Sequence, residues 1–277
     1  MQTLDSAKIV DGVARMQEAA RNDGVSESDN LPFHLPASAP RRGGVLMVHG
    51  FSASPWEVHQ TAVELAADGW ETVAIRLPGH GTRSEDLAVR RLEEWEAAVV
   101  AGYDLLAPAG PPVGLGVSTG ALLLTQLATQ RPLAGLILLS PFLRLRHRLA
   151  PWAGLLRFLR PYQEVEVPAH LQRYYYRRRP LAAIHQLNRL LRRMPALLPR
   201  ITAPVLIVNG QGDQTIDLVS AQELAAAIGS RETTVRMLGP EAPHVLITGE
   251  NPRRDEVMQL IQDFLQQLST PGGQTAP

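Results

Sequence analysis

From Gly44 onward the chain alternates short apolar runs with longer stretches in which apolar residues recur at helical spacing. The runs at 45–48, 72–75, 113–117, 133–139 and 205–208 predict strands, and 233–237 is a weaker candidate. Several are apolar at consecutive positions, as strands buried on both faces must be. Between them, 56–68, 92–106, 121–129, 220–228 and 254–268 carry the periodicity of amphipathic helices. Strict alternation of the two element types predicts an α/β fold, a mostly parallel sheet of about six strands with helices on both faces. In such sheets ligands bind at the carboxyl ends of the strands.

Two parts of the chain depart from this rhythm. Residues 1–40 hold Ile9, Val10, Val13 and Met16 at helical spacing, which predicts a short helix followed by an extended segment. Residues 141–200 separate two strands by roughly sixty positions, far more than one crossover needs. Within them LAPWAGLLRFLRPY and PLAAIHQLNRLLRRMPALL both read as helical, so an inserted helical cap is expected. The core is then 41–140 with 201–270, and PGGQTAP over 271–277 is expected as a tail.

Composition narrows the classes of function. Lysines plus arginines equal aspartates plus glutamates at 27 each, so net charge attracts neither nucleic acid nor membrane. There is no cysteine, which removes disulfide, thiolate and cysteine-metal chemistry together. The N-terminus lacks a basic start and a long apolar run, and no window predicts a transmembrane span. A cytoplasmic location is the expectation.

The chemistry starts at GLGVSTG. Ser118 stands where the strand at 113–117 gives way to a helix, between Gly116 and Gly120. A serine on a turn that sharp needs small residues two before and two after it. The helix that follows aims its N-terminal amides and positive dipole end at the same point. A hydroxyl needs a base, and the eight histidines supply candidates. His147, His170 and His185 fall in the insertion, His59 on a helix, His34 in the N-terminal segment, and His80 in the turn LPGHGTR. His244, in EAPHVL, follows the last strand candidate and precedes the final helix, from where a loop reaches the carboxyl end of the sheet. Asp213, after a buried strand and a Gly-rich turn, is the favoured carboxylate to orient that base; Asp217 competes, with helix capping as its alternative role. The backbone N–H groups of Phe51 and Thr119 are the expected oxyanion donors. In VLMVHGFSASPW, Ser54 and Pro55 suit the N-cap and first helical position, with His49 a structural residue beneath the loop.

Together HGFSASPWEV, LPGHGTRSEDL, GVSTG, the Gly-Gln-Gly-Asp around Asp213 and PHVLITGENPRRDEVMQLIQDFL resemble the α/β-hydrolase superfamily, and within it small bacterial carboxylesterases and monoacylglycerol lipases. The resemblance implies a serine-ester hydrolase with a Ser118–His244–Asp213 triad, no metal or organic cofactor, and a small-molecule ester substrate of short- to medium-chain acyl or monoacylglycerol type. Other reactions on the same triad stay open: thioester hydrolysis, acyl transfer, perhydrolysis or carbon–carbon hydrolysis. So does a binding protein that no longer turns over. Thr119 departs from the methionine, leucine or glutamine usual after the serine, and the N-terminal forty residues lack clear counterparts of two early strands.

The insertion is strongly basic. Residues 141–200 hold thirteen arginines against Glu164 and Glu166, leaving the rest of the chain net negative. A face solvated or paired with the acidic body, a basic mouth for anionic esters or lipid headgroups, and an oligomer interface are the three readings. Trp152, Leu155, Leu156 and Phe158 are expected as cap core, some of them lining an acyl pocket.

Overall fold

The computed structural model describes residues 6–147 and 149–269; the expected tail at 271–277 lies outside them. In chain order the elements are α1 (Ser6–Asn22), β1 (Phe33–Leu35), β2 (Gly43–Val48), α2 (Trp56–Ala67), β3 (Trp70–Ile75), α3 (Ser84–Val89), α4 (Leu92–Leu106), β4 (Val113–Val117), α5 (Thr119–Ala128) and β5 (Gly135–Leu139). After these come α6 (Ala153–Leu156), β6 (Tyr162–Glu164), β7 (Arg178–Pro180), α7 (Leu181–Leu197), β8 (Val205–Gly210), α8 (Leu218–Ala227), β9 (Thr233–Leu238) and α9 (Arg254–Ser269).

Seven strands form the main sheet in the order β1-β3-β2-β4-β5-β8-β9. The six expected strands are all present and parallel. The seventh, β1, pairs antiparallel with β3 from Phe33 opposite Ala74 to Leu35 opposite Thr72. At three residues flanked by Pro32 and Pro36 it is too short to give an alternation of its own.

Consecutive apolar residues sort onto opposite faces, as a pleated strand requires. Leu46 and Val48 join a core with α1, α4, α5 and α7, whereas Val45 and Met47 join a second core with α2 and α9. Both faces of the central strands are therefore covered, which fixes their register. That register brings the carboxyl ends of β2, β4, β5, β8 and β9 side by side on one edge.

Between β5 and β8 the chain is less helical than expected. Helix α7 covers the second predicted helical stretch, but the first yields only the single turn α6, and a two-stranded antiparallel pair, β6 with β7, lies between them. Trp152, Leu155 and Phe158 are not core residues here; they are 61%, 65% and 76% exposed. Gly154 packs so closely on His185 that an added Cβ would lie 2.4 Å from its ring, so the short helix meets α7 through its small residues and turns its large ones outward. Three consecutive tyrosines fasten the segment to the body. Tyr174 stacks on Trp56 at 4.0 Å, Tyr175 donates to Glu57, and Tyr176 donates to the carbonyl of Gly79.

Candidate active site

Ser118 sits at the junction of β4 and α5 with φ +53° and ψ −111°, a backbone conformation outside the regions open to ordinary L-residues. Its neighbours hold it there. The Ser118 N–H donates to the carbonyl of Leu139 at 2.7 Å, tying the turn to β5. Neither flanking glycine can be larger: a Cβ on Gly116 would lie 2.5 Å from the Ala121 nitrogen, and one on Gly120 would lie 2.1 Å from the Val48 carbonyl oxygen.

The structure brings Ser118, His244 and Asp213 into one hydrogen-bonded chain. The Ser118 hydroxyl lies 2.9 Å from His244 Nε2, and His244 Nδ1 lies 2.5 Å from Asp213 Oδ2. Asp213 is buried, and its other oxygen accepts the N–H groups of Thr215 at 2.7 Å and Ile216 at 3.2 Å. An acceptor at Nδ1 selects the tautomer with its proton there, which leaves Nε2 to take the serine proton. Close packing of the Asp213 and His244 loops needs glycine twice. A Cβ on Gly210 or on Gly212 would lie 2.3 Å from the carbonyl oxygens of Ala242 and Pro240 respectively. Ser140, at the end of β5, donates its hydroxyl to the carbonyl of His244 at 2.6 Å and so holds the histidine loop over the sheet.

Asp217 stands elsewhere. Its carboxylate accepts the Val219 N–H at the start of α8 and pairs with Arg144. Ser54 does not cap α2: the helix begins at Trp56 behind Pro55, and the Ser54 hydroxyl is buried without a partner among the described residues. Phe51 and Thr119 line the same cavity as Ser118 and His244. Thr119 is the first residue of α5, where amides have no partner within the helix.

Beneath this loop His49 is fully buried. Its Nε2 accepts the Leu77 N–H at 3.1 Å, so Nδ1 carries the proton and donates to the Gly50 carbonyl at 2.9 Å. Burial holds its pKa down to about 4, with Arg76 adding to the effect against the Gly50 bond, and the ring is neutral. His80 is in a bend, as expected, but is buried too. Its ring lies 5.1 Å from that of His49, 6.0 Å from Phe51 and 5.7 Å from Trp95, forming an aromatic floor under the loop.

Glu57, Tyr175 and Arg179 were not signalled by the sequence. Glu57 is buried at the first turn of α2, where an acidic residue reads as a partner for the helix dipole. Instead Oε2 accepts the Gly50 N–H at 2.6 Å and Oε1 accepts the Tyr175 hydroxyl at 2.9 Å. Burial raises its pKa, and these two bonds oppose the rise. The carboxyl group thereby fixes the His49–Gly50 peptide, one residue ahead of the Phe51 amide. The cavity over Ser118 measures about 540 Å³. Phe142, Leu145, Ile184 and Leu187 give it apolar walls, and Glu57, Gln163, Tyr175 and Arg179 a polar region.

The sequence profile of the Alpha/beta hydrolase family matches residues 45–256. The chain belongs to the α/β hydrolase family. This α/β hydrolase is 29% identical over 197 residues to the thermostable monoacylglycerol lipase of Bacillus sp. (strain H-257), a match covering 69% of this chain and 79% of that one. It is 23% identical over 230 residues to the carboxylesterase of Bacillus subtilis (strain 168), covering 81% and 92%. Its fold is similar to that of a metagenome-derived lipolytic enzyme from the LipS and LipT pair. There the TM-score is 0.78 and the identity 23%, over 87% of this chain and 98% of the other.

Proposed function

We propose that this α/β hydrolase is a serine carboxylesterase of lipase-like type, acting on short- to medium-chain or monoacylglycerol-type esters. The observation that carries the reading is the unbroken chain from the Ser118 hydroxyl through His244 to buried Asp213. Ser118 Oγ attacks the ester carbonyl while His244 Nε2 takes its proton, and the tetrahedral oxyanion rests on the amides of Phe51 and Thr119. His244 then gives that proton to the departing alkoxide, leaving an acyl-serine and a free alcohol. Water, deprotonated by His244, attacks the acyl carbon; the acid leaves and Ser118 recovers its proton. The monoacylglycerol lipase and carboxylesterase among the relatives support ester hydrolysis over the other reactions of such a triad.

Residues 141–200 act as a cap. Arg144, Arg178, Arg189 and Arg193 pair with Glu223, Glu85, Glu93 and Glu96 of the body, which supports the reading of a basic segment neutralised by an acidic core. Its outward row of Leu149, Trp152, Leu155, Phe158 and Leu159, interspersed with Arg157 and Arg160, supports a weak contact with anionic lipid. No helix among the described residues is long and apolar enough to cross a membrane. A cysteine-free chain also suits a reducing cytoplasm, which cell fractionation tests.

Hydrolysis of p-nitrophenyl esters over a series of acyl lengths tests the function. Wild-type turnover is expected, with Ser118→Ala and His244→Ala losing about four orders of magnitude in kcat while retaining native circular dichroism. Turnover that survives in the Ser118 variant would remove the serine mechanism.

A further inference from the structure

Arg179 has no ion-pair partner of its own among the described residues. It stands on β7 opposite Gln163, and both line the cavity over Ser118. Among the described residues its single hydrogen bond runs from Nε to the Ser52 hydroxyl, at 3.0 Å. A guanidinium has five N–H donors, so four remain without a protein acceptor. The neighbouring arginines of the same segment are placed otherwise: Arg178 pairs with Glu85 and Arg189 with Glu93.

The nearest carboxyl group does not close the gap. Glu57 has both oxygens engaged, one by the Gly50 amide and one by the Tyr175 hydroxyl. It supports the charge of Arg179 only through space, while burial works against that charge. Arg146 lines the cavity as well, and its side chain reaches a neutral partner, the Gln214 carbonyl oxygen at 2.5 Å. Glu166, the other carboxylate on the cavity, is exposed. A half-buried cation that lines the same cavity as Ser118 and lacks a paired protein anion is suited to receive one from the ligand.

Resting on the ester-hydrolase reading above, we propose that Arg179, with Arg146 lining the same cavity, forms a subsite for a carboxylate or phosphate carried by the substrate. The preferred esters then bear an anionic group within reach of the scissile bond. Ser52, which orients Arg179, belongs to the oxyanion loop, so binding of the anion and alignment of Phe51 are mechanically linked.

Matched esters test this in the wild type and in Arg179→Gln. p-Nitrophenyl butyrate against mono-p-nitrophenyl succinate places the charge on the acyl side; monobutyrin against its phosphoglycerol analogue places it on the alcohol side. The readout is the ratio of kcat/KM for the charged ester to that for its neutral partner, from which general damage to the site cancels. In one arm the wild-type ratio is expected at about ten or above, to fall about tenfold in Arg179→Gln, and to recover in part in Arg179→Lys. The arm that responds says which side of the ester carries the anion. Wild-type ratios at or below one in both arms, or a ratio unchanged in Arg179→Gln, would overturn the subsite alone. Should Arg179→Gln fail to fold, inhibition of wild-type butyrate hydrolysis decides. Competition by free succinate or inorganic phosphate is expected, and no inhibition by either overturns the proposal. If neutral and charged esters alike are untouched by the wild type, the esterase reading falls and the subsite with it.

Discussion

Gly120 shows how little room the turn at Ser118 leaves. With the Val48 carbonyl oxygen 2.1 Å and the His49 carbonyl oxygen 2.7 Å from where a Cβ would sit, Gly120→Ala must push α5 away from β2. The variant is expected to lose about 2–3 kcal/mol in urea unfolding and to lose activity through the displaced serine. A wild-type unfolding midpoint would show that the turn has slack. His49 makes a second prediction at this scale. Its folded pKa of about 4 lies below the ordinary histidine value of 6.5, so the unfolded chain binds its proton first as the pH falls. Stability from this group is full above about pH 6.5 and drains as pH drops toward 4, by roughly 3 kcal/mol in total. His80, pushed the same way by burial, adds to the slope. Melting temperatures across that window should fall more steeply in the wild type than in His49→Asn; parallel curves would contradict the assignment.

Single elements decide which carboxylate matters. Asp213 and Asp217 are four residues apart, yet the first ends a buried turn after β8 and the second starts α8. Asp217→Ala is expected to cost about 1 kcal/mol as a lost cap and to keep kcat. Asp213→Ala should lower kcat by about four orders of magnitude. Steady-state kinetics and denaturation of the two variants separate the roles, and equal effects on kcat would merge them. Five of the six parallel strands are legible because they are buried on both faces and so show apolar runs; β9, at the sheet edge with Val235 and Arg236 exposed, is legible only weakly. Ser118 and Asp213 each follow a buried run and His244 follows β9, and a parallel sheet collects those ends. β1 is not legible, having three residues and one partner strand. Glu57 and Arg179 are not either: what they touch depends on how the tyrosine strip crosses the loop after β2, through Tyr176 N–H donating to the Ser52 carbonyl at 3.0 Å. No local pattern encodes that crossing. The exposure of Trp152, Leu155 and Phe158 departs from expectation for a related reason, since periodicity marks an apolar residue without saying whether the fold has anything to cover it.

At the scale of the whole molecule, basic charge and exposed apolar side chains both concentrate in residues 141–200. The basic segment meets the acidic body through pairs that are mostly well exposed, such as Arg178 with Glu85, and each contributes little to stability. Such pairs constrain the segment only weakly. The exposed row from Leu149 to Leu159 is different, because apolar surface gathered in one short stretch is costly in water. Sedimentation with phosphatidylglycerol vesicles is expected to retain part of the protein at low salt, and Phe158→Ser with Leu159→Ser to release it. Equal retention on neutral phosphatidylcholine would remove the electrostatic part of that contact.

The account turns on an acyl-enzyme at Ser118. Intact-mass and peptide analysis after treatment with a p-nitrophenyl alkylphosphonate, which mimics the tetrahedral intermediate and stays attached, tests it most directly. One phosphonyl group is expected, mapped to Ser118, with its appearance matching the loss of esterase activity and no adduct in Ser118→Ala. Modification at another residue, or full esterase activity with Ser118 fully modified, would contradict the account.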